Sequence, residues 1–384
     1  MVRVVFVAAV VLMLASGGVR AREDDALMPA LGQTWAEIGG EVYGAKPDAL
    51  GPIGGGQGYQ RLLTTGQYQV ATIDELLAAL QKARAGETVF IDPKAELDLT
   101  ALVYAEGLVI GVPSGVTLAS NRGQDGSPGA LLYSEAFQTA PLIKALGPDV
   151  RVTGLRVRGP DPKVREDHHQ RAYGRGRETG AASAYYYKLP NSNGLSTAFP
   201  KLEVDNCEIS GWSNGGVDLT DGTGHHVHHC YIHHNQRLGL GYGVVLGYGT
   251  QVTGLIEFNV FDRNRHSIAA TGKPGNGYEA CNNVEFGHAT SHYFDMHGGS
   301  DRGDGTTIAG DWLKIHHNTF RDASRQALRI RGVPQQEAVI DHNWFAAPEP
   351  GTGAMGPWPA GGETHVRVLN NAYGADQPAV KDRP

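Results

Sequence analysis

One unit recurs through the second half of the chain and limits what it can fold into. A strand-like run ends in a polar residue, most often Asn, and an aromatic or aliphatic anchor follows two places on. It reads Cys207-Glu208-Ile209, Cys230-Tyr231-Ile232, Asn259-Val260-Phe261, Asn318-Thr319-Phe320, Asn343-Trp344-Phe345 and Asn371-Ala372-Tyr373, with Asn283–Phe286 as a looser copy. Successive first positions lie 23, 29, 24, 35, 25 and 28 residues apart. Steps of this size mark a stacked repeat, because a unit so short cannot bury its apolar face alone. Stacking sets each residue type above its like at the strand spacing of about 4.8 Å. Asn at the bend is expected to take a left-handed φ and to bond its stacked neighbour. A β-propeller would need four strands per repeat, for which most of these steps are tight. The fold expected is therefore all-β: a single-stranded right-handed parallel β-helix (solenoid) with an N-terminal capping helix.

That helix is signalled at Thr72-Ile73-Asp74-Glu75, a capping box with Thr72 as N-cap and Glu75 reaching back. Ile73, Leu76, Leu77 and Leu80 make one apolar stripe, and Gly86 is the expected stop. Such a helix would plug the open end of the solenoid, whose edges would otherwise aggregate. Short strands are expected at Thr88–Ile91, Leu108–Ile110, Val116–Leu118 and Val150–Val157. The organisation expected is a signal peptide over 1–21, a lead-in over 22–60, the solenoid over 61–375 and a tail over 376–384. The first segment has a positive start at Arg3, a short apolar run over Val4–Ala15 and a small-residue cleavage site near Ala21. A secreted or periplasmic protein with no membrane span follows, with a monomer expected. The formal charge of −7 gives no global basic field and argues against a nucleic-acid partner.

Repeat register places side chains. Nine residues after the anchors Ile209, Phe286 and Phe320 lie Asp218, Asp295 and Arg329; eleven after them lie Thr220, His297 and Arg331. The residues between are apolar, so strand alternation turns Asp295, His297, Arg329 and Arg331 outward from one sheet. A carboxylate, an imidazole and two guanidiniums on consecutive turns share a patch. Counting the same way gives a rim column of Arg237, His266, Ser291 and Arg325, with Arg265 beside it, suited to an anionic chain. The segment Arg156–Lys188 interrupts the repeats. Its Arg175, Tyr185, Tyr186, Tyr187 and Lys188 are expected in a cleft wall, where Tyr stacks on sugar rings and cations meet carboxylates.

Gly54-Gly55-Gly56, the Val70-Ala71-Thr72 entry to the helix, Thr88–Asp92 and the Asn-x-Phe coils together resemble the pectate-lyase-like β-helix superfamily, over roughly residues 50–375. The string His292-Tyr293-Phe294-Asp295-Met296-His297 resembles the Tyr-Gly-Phe-Asp-Pro-His motif of alginate C-5 epimerases. Phe294, Asp295 and His297 match, Met296 stands for Pro, and Tyr293 sits one place later than the family Tyr. The resemblance implies an enzyme on an extracellular anionic polysaccharide, with His297 and Asp295 in its site.

Such chemistry wants these residue types. Eliminating a 4-linked uronate removes the proton next to a carboxylate, so a guanidinium or metal ion must stabilise the developing enolate. A neutral His takes the proton, and an adjacent Asp fixes its tautomer. Asp295, His297, Arg329 and Arg331 supply these groups, with Tyr293, His292 and His266 as accessories. The reading is a uronate polysaccharide lyase. The alternatives are a C-5 epimerase, which shares the first step; a glycoside hydrolase, which needs paired carboxylates; and a non-catalytic glycan-binding surface protein. The sequence calls for no particular cofactor and leaves metal dependence open; Asp301, Asp304 and Asp311 in a Gly-rich loop could hold Ca²⁺. The run His225–His234 reads as repeat packing with exposed imidazoles rather than a metal box. Cys207 and Cys230 share a repeat position, as stacked thiols or a disulfide.

Overall fold

The computed structural model describes residues 28–178, 185–351 and 353–381; the expected signal peptide and its cleavage site lie outside them. Three sheets of 11, 11 and 8 strands run side by side. Eight successive turns of the chain each give one strand to each sheet, as in Val252–Glu257, Val260–Asp262 and His266–Ala270. Each strand pairs in parallel with its equivalents one turn before and after. Among the described residues the three stacked sheets have edge strands only at their two ends, and both ends are closed. The helix Ile73–Lys82 carries the full Thr72–Glu75 capping box and buries Leu76, Ala79 and Leu80 against the first turn. It stops at Ala83, three residues before Gly86. At the far end Ala379–Val380 folds back antiparallel onto Ala372–Tyr373, and Trp358 packs against the core.

The corners explain the repeat. Asn259, Asn283, Asn318, Asn343 and Asn371 are fully or almost fully buried, and the side-chain amide of each of the first four donates to the next Asn Oδ1 at 2.9–3.1 Å. Cys207 and Cys230 head the same column as free thiols, with the Cys207 backbone N–H donating to Cys230 Sγ at 3.4 Å. The left-handed residue is not the ladder Asn but its predecessor: Asn206, His229, Phe258, Asn282, His317, His342 and Asn370 have φ of 45–53°. The ladder Asn spends its side chain on stacking, so the preceding residue turns the corner. Gly154 does the same at φ 68°, and splits the expected run Val150–Val157 into the strands Arg151–Thr153 and Arg156–Arg158.

The interior is a column of anchors. Phe320 stacks on Phe345 at 5.0 Å, and Phe345 on Tyr373 at 5.4 Å. In the looser copy the residue in register with Phe261 and Phe320 is Glu285, not Phe286. Phe286 instead packs outside, against a small cluster around Ala45 and Val260. Burial pushes the Glu285 carboxyl well above the carboxylate range, although Oε1 accepts the Gly287 N–H at 2.9 Å.

The lead-in is ordered along the outside of the solenoid. It forms the hairpin Trp35–Ile38 and Glu41–Gly44, and is tied down by Asp48 to His229 and by the Tyr59 hydroxyl donating to Asp205. Against the expectation of exposed imidazoles, His225, His228, His229 and His233 are buried, packed under this strap and beside neighbouring turns.

Candidate functional site

The group forms on the outer face of the eight-stranded sheet, where register stacks Ser196, Asp218, Val245, Ala269, Asp295 and Arg329. Phe294, Met296, Leu328 and Ile330 fill the core on the other face. Asp295 is nonetheless completely buried, roofed by its own neighbours. Arg331 grips it with two bonds, Nε to Oδ1 at 2.8 Å and Nη2 to Oδ2 at 2.6 Å. His297 Nε2 stands 3.0 Å from Oδ2 and His266 Nε2 stands 3.2 Å from it. Burial alone would raise the Asp295 pKa, but His266, His297 and Arg331 together hold it well below the carboxylate range. Asp301 Oδ1 takes the remaining face of Arg331 at 3.2 Å.

A break in strand alternation brings His266 into this group. The N–H groups of Ser267 and Ile268 both point at the Tyr293 carbonyl, at 2.8 and 3.2 Å, while the register with Tyr242–Leu246 stays continuous. Ser267 faces inward toward Asn264, Ile268 fills the core, and His266 is turned out. Its Nδ1 donates to the His292 carbonyl at 2.5 Å. Burial, with Arg265 alongside, pushes its pKa well down against the pull of Asp295, and Nε2 makes no hydrogen bond. His292 is likewise lowered, to about 4, chiefly by burial.

The column before His266 differs from the expected one. Tyr242, not Arg237, is its register partner, and the two rings stack 5.8 Å apart at 10°. Arg237 is buried under the insertion, donating to the Pro190 carbonyl at 2.6 Å and lying over the Phe137 and Tyr186 rings. It anchors the insertion rather than lining a groove. Ser291 and Arg325 fall one residue off the column; Arg325 is exposed and reaches the Ala289 carbonyl. Tyr293 also leaves the group. It turns into the core, stacks on Phe320, and donates its hydroxyl to the Asp322 carbonyl.

The insertion contains the helix Glu166–Glu178 and an aromatic knot of His169, Tyr173, Tyr186 and Tyr187. Tyr186 is buried and bonds the Leu238 carbonyl; Tyr185, Tyr187 and Lys188 are exposed. Arg175 is exposed on the helix, 3.6 Å from Glu178. Arg265 lies 5.5 Å from the Tyr242 ring centroid and, after burial, helps to lower the His169 pKa, so the insertion stands over the Arg265 end of the patch. Among the described residues no carboxylate pairs with Arg265, and its buried Nη1 has no hydrogen-bond partner. Arg329 donates to the Pro357 carbonyl at 3.4 Å, and no carboxylate pairs with it among the described residues. Tyr242 and the Asp301–Arg331 contact were missed by reading the sequence; pairing Tyr242 with His266 by strand register would have found the first.

Asp301, Asp304 and Asp311 do not converge. Asp304 pairs with Arg302 at 2.6 Å, and Asp311 accepts the Gly275 N–H at 2.7 Å.

With this geometry in view, the family model described as a right handed beta helix region matches residues 201–373. The chain is a right-handed parallel β-helix. No curated protein matches it. Among solved structures, an alginate lyase from Paenibacillus sp. str. FPU-7 is 15% identical, with a TM-score of 0.46, over 80% of this chain and 97% of that one. The Dettilon tailspike protein is 10% identical, with a TM-score of 0.33, over 77% and 64%. No helix of the β-helix, among the described residues, is long and apolar enough to cross a membrane. Its patch joins an imidazole with a fixed carboxylate partner to two guanidiniums without carboxylate partners, which suits proton abstraction next to an anionic group.

Proposed function

We propose that the β-helix is an exported polysaccharide lyase that cleaves a uronate-containing polymer by β-elimination. The observation that carries this reading is His297, partly exposed, with Nε2 held 3.0 Å from a buried, ionised Asp295. A donor at Nε2 leaves Nδ1 as the base, and it takes the C-5 proton. Arg331 is a positioning residue, since both its bonds to Asp295 are already made. The uronate carboxylate goes to Arg265 or Arg329, whose guanidiniums lack a carboxylate partner among the described residues, and the enolate charge is stabilised there. Tyr242, stacked on His266, protonates the departing oxygen. A hydrolase fits less well: Asp218 and Asp295 stand three strands apart, about 14 Å, beyond the separations that glycosidic carboxylates use.

The test is a screen of the purified protein against alginate, pectate, glucuronans and sulfated uronate polymers, with and without Ca²⁺. The ultraviolet absorbance of the unsaturated product should rise on one of them. His297→Ala should lose at least 10²-fold of that rate, the usual contribution of a general base. Reducing ends without the absorbance would overturn the reading in favour of hydrolysis. C-5 inversion by NMR without chain shortening would overturn it in favour of epimerisation.

A further inference from the structure

Three groups of His, Cys and carboxylate side chains among the described residues bring their donor atoms within 4.8 Å of one another: Glu203/His226/His228, His266/Asp295/His297 and Glu279/Cys281/His316. In the first two a guanidinium already holds the carboxylate. Arg61 and Arg151 sit on Glu203, and Arg331 grips Asp295. A divalent ion there would have to displace a fixed cation. The third group has only the Lys314 ammonium, 3.7 Å from Glu279 and largely exposed. It lies on the outer face of an 11-stranded sheet, a different sheet from the Asp295 group.

We propose that Glu279, Cys281 and His316 bind one borderline divalent metal ion, of which Zn²⁺ is the type. Glu279 and Cys281 are two apart on one strand, so both face outward; His316 is the direct register partner of Cys281 on the next strand. His316 Nε2 already stands 3.0 Å from Glu279 Oε1. On the other side of Cys281, Glu257 is its register partner, and its Oε2 accepts from the thiol at 3.5 Å. One sulfur, one imidazole nitrogen and one carboxylate oxygen are donors that tetrahedral zinc takes, with Glu257 Oε2 or a water as the fourth. His317 supports the arrangement: His316 Nδ1 lies 3.0 Å from His317 Nδ1, and donation there leaves the Nε2 lone pair for the metal. All the ligands stand on paired strands, which fixes their spacing before any ion arrives. Binding converts the Cys281 thiol to a thiolate and passes its proton to solvent.

The test is Co²⁺ titration of the chelator-treated full chain, read by the thiolate-to-cobalt charge-transfer band, followed by Zn²⁺ competition. Cys207 and Cys230 are buried in the core, so the band reports Cys281. One equivalent of Co²⁺ should bring the band to saturation, and Zn²⁺ should abolish it. Cys281→Ser should never develop it, while His316→Gln and Glu279→Gln should each weaken binding at least tenfold with the thermal midpoint of the apo protein retained. If Cys281→Ser fails to fold, the other two variants decide. No band in folded wild type, a band unchanged in Cys281→Ser, or His316→Gln and Glu279→Gln that bind like wild type would each overturn the site.

Discussion

Asp295→Asn keeps the shape of the side chain and removes its charge, so it isolates what that charge does. Arg331 makes two bonds to a carboxylate with no exposure, at 2.8 and 2.6 Å. Breaking a buried pair from one side costs about 3–5 kcal/mol, since the other ion stays uncompensated. Asp301, 3.2 Å from Arg331, retains part of the compensation, so the lower end, about 3 kcal/mol, is expected. For a chain of this size that lowers the thermal midpoint by about 4 °C at pH 7. Arg331→Met should cost a similar amount. The double variant should fall short of the sum by about 2 kcal/mol, because the second change removes a charge the first has already orphaned. The pH sign follows from a depressed carboxyl pKa. Its stabilisation is present above the unfolded value near pH 4 and is lost as pH falls toward the folded value. The gap between wild type and variant should hold from pH 5 to 8 and narrow only in stronger acid. Melting by circular dichroism across that range is the assay. A variant within 1 °C of wild type at pH 7, or an additive double variant, would refute the argument.

Asp218 runs the other way: burial lifts its carboxyl to about 7, and Oδ1 has no partner. A raised folded value means its contribution is fully present below about pH 4 and is lost as pH rises to about 7, on the order of 4 kcal/mol in all. Asp218→Asn should therefore flatten the pH dependence of unfolding in urea and melt higher than wild type at pH 8. Asn343 accepts from Asn318 and donates to Ile315, Asp341 and Asn371. Asn343→Leu should thus destabilise by about 3 kcal/mol or more, and local hydrogen exchange should quicken in the turns on either side. On whichever polymer the screen identifies, Arg265→Met should lower kcat/KM at least tenfold without shifting the thermal midpoint by more than 2 °C, since its Nη1 has no partner to lose.

Much of this architecture was written in local chemistry. The Asn-x-aromatic unit specifies a stacked coil because an Asn amide has a donor and an acceptor that suit the Asn above and below. The Thr72–Glu75 box specifies the cap because it satisfies orphan N–H groups within four residues. The column Asp295–Arg329 could be counted from the anchors, since strand alternation keeps parity as long as no residue is added. Where a residue is added, counting fails. Eight residues separate Tyr231–His233 from Tyr242–Leu246 and only three separate Val260–Asp262 from His266–Ala270, so the count from the anchors lands on Arg237 where the register has Tyr242. Glu285 in the anchor position displaced Phe286, and the count to Asp295 stayed in register only because it started from Phe286.

Sequence by itself thus determined the coil, its cap and the outward face that bears the charges. Only the tertiary structure decided which charge meets which. Arg331, diagonal to Asp295, takes it, while Arg329, directly opposite, does not. A guanidinium two positions along reaches back over one strand spacing, and that reach depends on the packing around it. Tyr293 and Arg237 were drawn under other elements for the same reason: long side chains go where a corner or an insertion has buried room for them, and no periodicity in the chain records that room.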